Sequence, residues 1–190
     1  MNASTRPGPR ERLLDAAREL TYSRGVTVGV EAILQKADVA RQSLYQHFGG
    51  KDQLLAEVLR LSGVADLRRY REALESGGGD PRERLLAVFD VLDETTTGPD
   101  FHGCRYTAAD LAFIDREHPG RVQTRAYREQ LHQLFEEELG RFGHPDPALA
   151  AEQLVLLIDG VLVAAVNRPE THPAKAARQV AEHILDERAA

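Results

Sequence analysis

Apolar residues recur three and four positions apart along almost the whole chain, and nothing alternates with the period of two that a half-buried strand requires. Such a chain builds its core by burying helical stripes against one another, so the expected class is all-α. Leu13, Ala17 and Leu20 repeat at i, i+4, i+7 and predict a helix over about 10–24, stopped by Gly25. Val30, Ile33, Leu34 and Ala37 form the stripe of a short helix over about 30–37, and another spans about 41–48 before Gly49-Gly50. A fourth runs from about 51 to 75, ahead of "SGGGDP" at 76–81, the clearest break in the sequence. Beyond it, helices are expected over about 82–96, 104–116, 119–142, 147–167 and 173–188, nine in all.

The 190 residues suffice for one ordinary domain or two small ones. Cys104 is the only cysteine, which excludes an intramolecular disulfide and suits a reducing compartment. No run approaches the roughly 20 apolar residues of a membrane span, and "MNASTRPGPRER" lacks the apolar stretch of a signal peptide. Residues 1–9 are therefore expected to form a flexible arm, and the protein to be cytoplasmic with no membrane partner. Net charge is −6 but uneven: residues 1–60 carry +2 and residues 61–190 carry −8. So acidic a body argues against broad, nonspecific binding to nucleic acid, and any contact with that polyanion must be local to the head.

Only "DVA", residues 38–40, separates the second and third helices. Two short helices on such a turn form the helix-turn-helix pattern, whose second helix enters the DNA major groove. Asp38 falls where the turn needs positive φ, which Asp tolerates better than most residues. With Leu44 facing inward, Phe48 lies about 40° away, while Gln42 and Gln46 point outward. Ser43 and Tyr45 flank them, and His47 sits nearer the seam. Glutamine pairs bidentately with adenine, and serine bonds to any base edge. Arg41 is long enough for a guanine edge or a phosphate. Tyr45, His47 and Lys51 suit phosphate oxygens, Lys51 beside the N-terminal amides of the fourth helix.

The stretch "VEAILQKADVARQSLYQHFGGKDQLL", with "RLLDAARELTYSRG" before it, resembles the DNA-binding head of the tetracycline-repressor (TetR-type) family of bacterial transcriptional regulators. The resemblance is strongest over about residues 12–55, and "LYQHF" followed by Lys51 is its most specific part. "HGCRYTAADLAF", "HPGR" and "LAAEQLVLLIDGVLVAA" are similar to stretches in the regulatory bodies of many members. The departures are local. Asp38 stands where Gly is usual, Ala40 where a Ser or Thr caps the third helix, and Thr21 where a large aromatic is common. Thr27 is the only hydroxyl near the start of the second helix.

The resemblance implies a nine-helix architecture: a head over 10–55, and a ligand-binding and dimerisation body over 56–190. It also implies a homodimer paired through the last two helices. The near-continuous apolar surface of 147–167 supports this, because such a helix must be covered on several sides. Candidate interface residues are Leu157, Val161, Ala164, Ala165, Val180 and Ile184. Candidates to line an effector cavity are Phe89, Cys104, Tyr106, Phe113, His132 and Phe135. Asp159, inside the apolar helix, needs a partner: a ligand, or an arginine across the dimer seam. The scattered histidines, His144 among them, lie mostly beside prolines or on exposed faces and imply no metal site. No phosphate loop, dinucleotide fingerprint or nucleophile elbow is present, so no enzyme and no cofactor is expected. Cys104 is left as a candidate redox sensor. The expected function is a ligand-responsive repressor that binds a near-palindromic double-stranded operator as a dimer. The alternative is a helical ligand-binding or scaffolding module whose head does not read DNA.

Overall fold

The computed structural model describes residues 7–186; residues 1–6, most of the expected arm, and residues 187–190 lie outside it. The described residues hold nine α-helices: α1 (Pro9–Arg24), α2 (Val30–Ala37), α3 (Arg41–Phe48), α4 (Lys51–Ser76), α5 (Pro81–Thr97), α6 (Arg105–Ala112), α7 (Pro119–Phe142), α8 (Pro147–Asn167) and α9 (Pro173–Leu185). A short 3₁₀ turn, Pro169–Thr171, precedes α9. Five of the nine begin on a proline, whose missing N–H costs nothing in the first turn and whose φ already suits a helix. That is why α1 and α5 start one residue earlier than apolar spacing indicates. Asp80 and Asp146 cap α5 and α8, accepting the N–H of Arg82 at 2.9 Å and of Leu149 at 3.1 Å.

The expected helix over 104–116 is shorter. α6 ends at Ala112 because Asp115 takes the Glu117 N–H at 2.9 Å and its carbonyl takes the His118 N–H at 3.2 Å. Such a side-chain turn competes with helix continuation. Phe113 then stacks on His118, ring centroids 3.8 Å apart.

Two compact units result. One joins the described residues up to Gly63 with Arg105–Arg125; the other joins Val64–Cys104 with the described residues from Ala126 onward. The unit that carries α1–α3 is thus discontinuous in sequence. Arg105 accounts for part of this: its guanidinium donates to Ser62 Oγ at 3.0 Å and lies 4.4 Å from the Tyr22 ring centroid.

In the second unit α5, α8 and α9 pack on one another around Leu85, Phe89, Leu92, Leu154, Ile158 and Ala181. Arg178 on α9 lies 3.8 Å from Glu83 and 3.5 Å from Asp90 of α5. His144, beside Pro145, packs into the core of this unit. It is buried, accepts the Asp146 N–H on Nδ1 at 3.1 Å, and so donates from Nε2 to the Ile184 carbonyl at 3.0 Å. Asp159 receives Arg128 Nη1 on both oxygens, at 3.2 and 2.9 Å, so its partner lies within the same chain.

By length and composition α8 is apolar enough to cross a membrane, contrary to the reading that no segment approaches that. Its buried face nonetheless packs on α5 and α9, as a core helix does.

Glu138 is the one buried carboxylate among the described residues. Burial pushes its pKa up, but hydrogen bonds from Arg84 at 2.5 and 3.2 Å and from Arg141 at 2.9 Å outweigh this and hold it below the ordinary 4.5. A carboxylate with a depressed folded pKa contributes stability above its unfolded pKa and loses it as pH falls through the folded value. Glu138→Gln should therefore cost about 1–3 kcal/mol at pH 7 and flatten the acid limb of the stability profile below about pH 4.5. Urea unfolding between pH 3 and 7 measures both.

Candidate nucleic-acid interface

The head's core is small and specific: Leu13, Leu14, Ala17 and Leu20 from α1 meet Ile33, Leu34 and Ala37 from α2, Leu44 from α3, and Leu54 and Val58 from α4. Leu44 is α3's only fully buried residue, 1% exposed, and Phe48 packs half-buried beside it under Arg10, 5.4 Å from the ring centroid. Those two anchors give an eight-residue helix a single orientation. Arg41, Gln42, Tyr45, Gln46 and His47 are exposed, Tyr45 to 55%. Ser43 is half-buried on the flank. Lys51, also half-buried, opens α4 immediately after the Gly49-Gly50 turn, where Gly49 adopts φ +74°. Thr27 is exposed in the turn between α1 and α2, one residue before Val28 N–H closes on the Gly25 carbonyl at 3.2 Å.

The turn between α2 and α3 rests on Asp38, which adopts φ +51° and ψ +55° and returns its N–H to the Gln35 and Leu34 carbonyls. Arg12 buttresses it from α1, donating Nη1 to the Asp38 carbonyl at 2.8 Å and lying 3.4 Å from its Oδ2. Ala40 supplies no side-chain cap, and α3 begins on the Ser43 N–H to Ala40 carbonyl bond at 2.9 Å. α3 is thus held by packing and by the buttressed turn.

Two residues of this surface escaped the sequence reading. Glu31, in the first turn of α2, forms an ion pair with Arg41, so the guanidinium expected at a base or phosphate has a carboxylate beside it. Arg12 lies 26 residues from Asp38, and no local pattern announces that contact. Glu57 draws Arg60 at 2.7 Å and Arg10 at 2.8 Å, tying α1 to α4. The Arg60 hydrogen bond is the main cause that holds its carboxyl below the usual range, burial opposing and Arg10 assisting.

The residues expected to line an effector cavity divide between the two units. Tyr106 and Phe113 belong to the unit that carries the head, whereas Phe89, Cys104, His132 and Phe135 belong to the other. Phe89 and Phe135 are sealed core side chains, 2% and 1% exposed. His132 lies on an open groove between α7 and α8, 3.5 Å from Glu136 and 4.0 Å from Glu152. Cys104 is half-buried. The interface candidates also divide. Val161, Ala165 and Ile184 are buried in the protomer's own core, Leu157 and Ala164 are half-buried, and only Val180 is exposed.

The sequence pattern of bacterial regulatory proteins of the tetR family matches residues 13–58, and that of the C-terminal part of BetI-type transcriptional repressors matches residues 107–190. The transcriptional regulator BetI of Agrobacterium fabrum is 32% identical over 83% of this chain and 76% of its own length. The chain belongs to the tetR family of bacterial regulatory proteins. A crystal structure of a tetR-type regulator from Streptomyces avermitilis superposes with a TM-score of 0.78 at 35% identity, covering 93% of this chain and 99% of that one. The transcriptional repressor NemR of Escherichia coli is 34% identical over 55% of this chain, which spans about half of NemR, 53%. Membership places the protein among bacterial transcriptional regulators.

The left-handed turn yields a direct expectation for this tetR-type head. Asp38→Ala should destabilise it by about 1–2 kcal/mol, because alanine disfavours positive φ and loses the Arg12 contact, whereas Asp38→Gly should cost less. Thermal unfolding of the two variants gives the comparison, and an Ala variant as stable as the Gly variant would refute it.

Proposed function

We propose that the protein is a dimeric, ligand-responsive repressor that reads a near-palindromic operator through α3. The observation that carries this is the division of α3 itself: Leu44 buried, Gln42 and Gln46 exposed on the opposite side. A row of amides on a packed helix has no use within the fold, but adenine edges match it bidentately. A scaffolding module would leave that row unexplained. Tyr45, His47, Lys51 and Thr27 border it as phosphate contacts, which set register without reading sequence. Such a regulator works where a bacterial chromosome lies, in the cytoplasm.

Self-association through α8 and α9 is supported by the apolar residues left exposed there. Leu149, Leu156 and Val163 follow one another at intervals of seven along α8 and stay 54%, 60% and 49% exposed; Val180 on α9 is 48% exposed. Residues seven apart share a helix face. A second copy covers this row isologously and sets two α3 helices about one DNA turn, roughly 34–36 Å, apart. An effector lowers operator affinity by binding one conformer of the dimer better than the other.

Selection of bound duplexes from a random pool defines the operator. On the best site, Gln42→Ala and Gln46→Ala should each cost about 1–3 kcal/mol and relax base preference; uniform weakening on every sequence would exclude base reading. Lys51→Ala should weaken all duplexes and reduce the salt slope by about one unit. For the dimer, Leu156→Glu should sediment as a folded monomer and lose most operator affinity. A dimeric Leu156→Glu protein would place the interface elsewhere.

A further inference from the structure

Glu31 is a carboxylate on a face that reads a polyanion, and the contacts assigned so far give it no task. It lies in the first turn of α2 and forms an ion pair with Arg41, the first residue of α3. Both side chains stay open, Glu31 to 71% and Arg41 to 53%. An ion pair so exposed contributes little to stability, so the fold does not depend on it. In a helix-turn-helix the first helix crosses the DNA backbone. A carboxylate at the start of α2 therefore repels the phosphates that α2 must pass.

The local electrostatics explain why the two groups meet. Arg41 places a cation at the end of α3 that already carries partial positive charge. Ala40 offers no side-chain acceptor there, and the first turn of α3 has no acidic residue. Glu31, from the neighbouring helix, is the anion that this end lacks. Both residues line one open concavity between α2 and α3, of about 600 Å³, and Arg41 is the one cation that lines it. The other carboxylate there, Asp38, lies 3.4 Å from Arg12. A guanidinium has five N–H donors in a planar fork. A carboxylate that accepts along one edge of the fork leaves another pair for guanine O6 and N7. A phosphate gains the guanidinium only by displacing Glu31 or by standing beside its charge.

We propose that Glu31 is a specificity-determining residue that acts through Arg41: it holds the guanidinium against a guanine edge on the operator and withholds it from phosphates on other sequences. On the operator, the Glu31 carboxylate and the guanine share one guanidinium, and the pair stays intact. On any other sequence the pair must break before Arg41 reaches the backbone. This inference rests on the DNA-reading function proposed above and deepens it.

The test uses the full chain, the duplex it selects from a random pool, and random duplexes, each titrated at several salt concentrations. Glu31→Gln and Glu31→Ala, checked for folding by circular dichroism, should bind random duplexes about tenfold more tightly and steepen the salt slope there by about one unit. Neither should bind the selected duplex more tightly, so the ratio between selected and random affinity falls about tenfold. Arg41→Ala should lose a guanine preference of about tenfold or more at one position of each half-site. Selection repeated with Glu31→Gln should relax the preference at that same position. In the double variant, absence of Arg41 should remove most of the gain on random duplexes. Equal gains on selected and random duplexes, a gain kept in full without Arg41, or no base preference lost in Arg41→Ala overturns the role of Glu31. Each of those outcomes leaves the DNA-reading function standing. An unaltered chain that selects no duplex overturns that function instead, and this inference with it.

Discussion

Burial of Leu44 is the contact on which the head's function turns. An eight-residue helix is too short to persist by its own hydrogen bonds, so α3 exists because its apolar side is inserted among α1, α2 and α4. The same insertion decides where everything else on α3 points. Once Leu44 is fixed inward, the 3.6-residue repeat leaves Gln42 and Gln46 outside with no further choice. Asp38 and Arg12 then set the angle at which α3 leaves α2, through a left-handed residue and a guanidinium bonded to its carbonyl. In the proposed reading, base recognition by α3 thus depends on a hydrophobic contact that itself touches no DNA.

The second unit solves a different problem, that of placing polar groups in a helical core. Glu138 is buried, yet two guanidiniums satisfy it; His144 is buried, yet both ring nitrogens are bonded. Asp159 interrupts the apolar α8 and is met by Arg128 from α7. Each group is costly without its partner and acceptable with it. Asp93 contrasts with them: it lines a cavity bordered by the ends of α5 and α8.

Much of the fold was legible because helices announce themselves locally. Apolar spacing placed α2 and α3 to the residue, and Gly49 marked the end of α3. The errors have physical causes. α6 stops early because the Asp115 side chain captures a backbone amide, a competition that apolar spacing does not register. α1 and α5 start early because proline at the first helical position belongs to no stripe. The outward face of α3 was legible from one period and one anchor. Which apolar residues face the protomer's own core was not, because buried Val161 and Ala165 look in sequence like Val163 and Val166, which stay exposed.

The sequence by itself determined the helical class, most helix boundaries and the exposed amide row, since each follows from periodicity and side-chain chemistry within one or two turns. Only the tertiary structure decided that Arg12 supports the turn and that Glu31 sits beside Arg41. It alone separated the buried from the exposed face of α8 and brought two helix ends together at Asp93. Those relations join residues far apart in the chain or depend on which of several apolar faces is packed, and neither distance nor burial is encoded in local spacing.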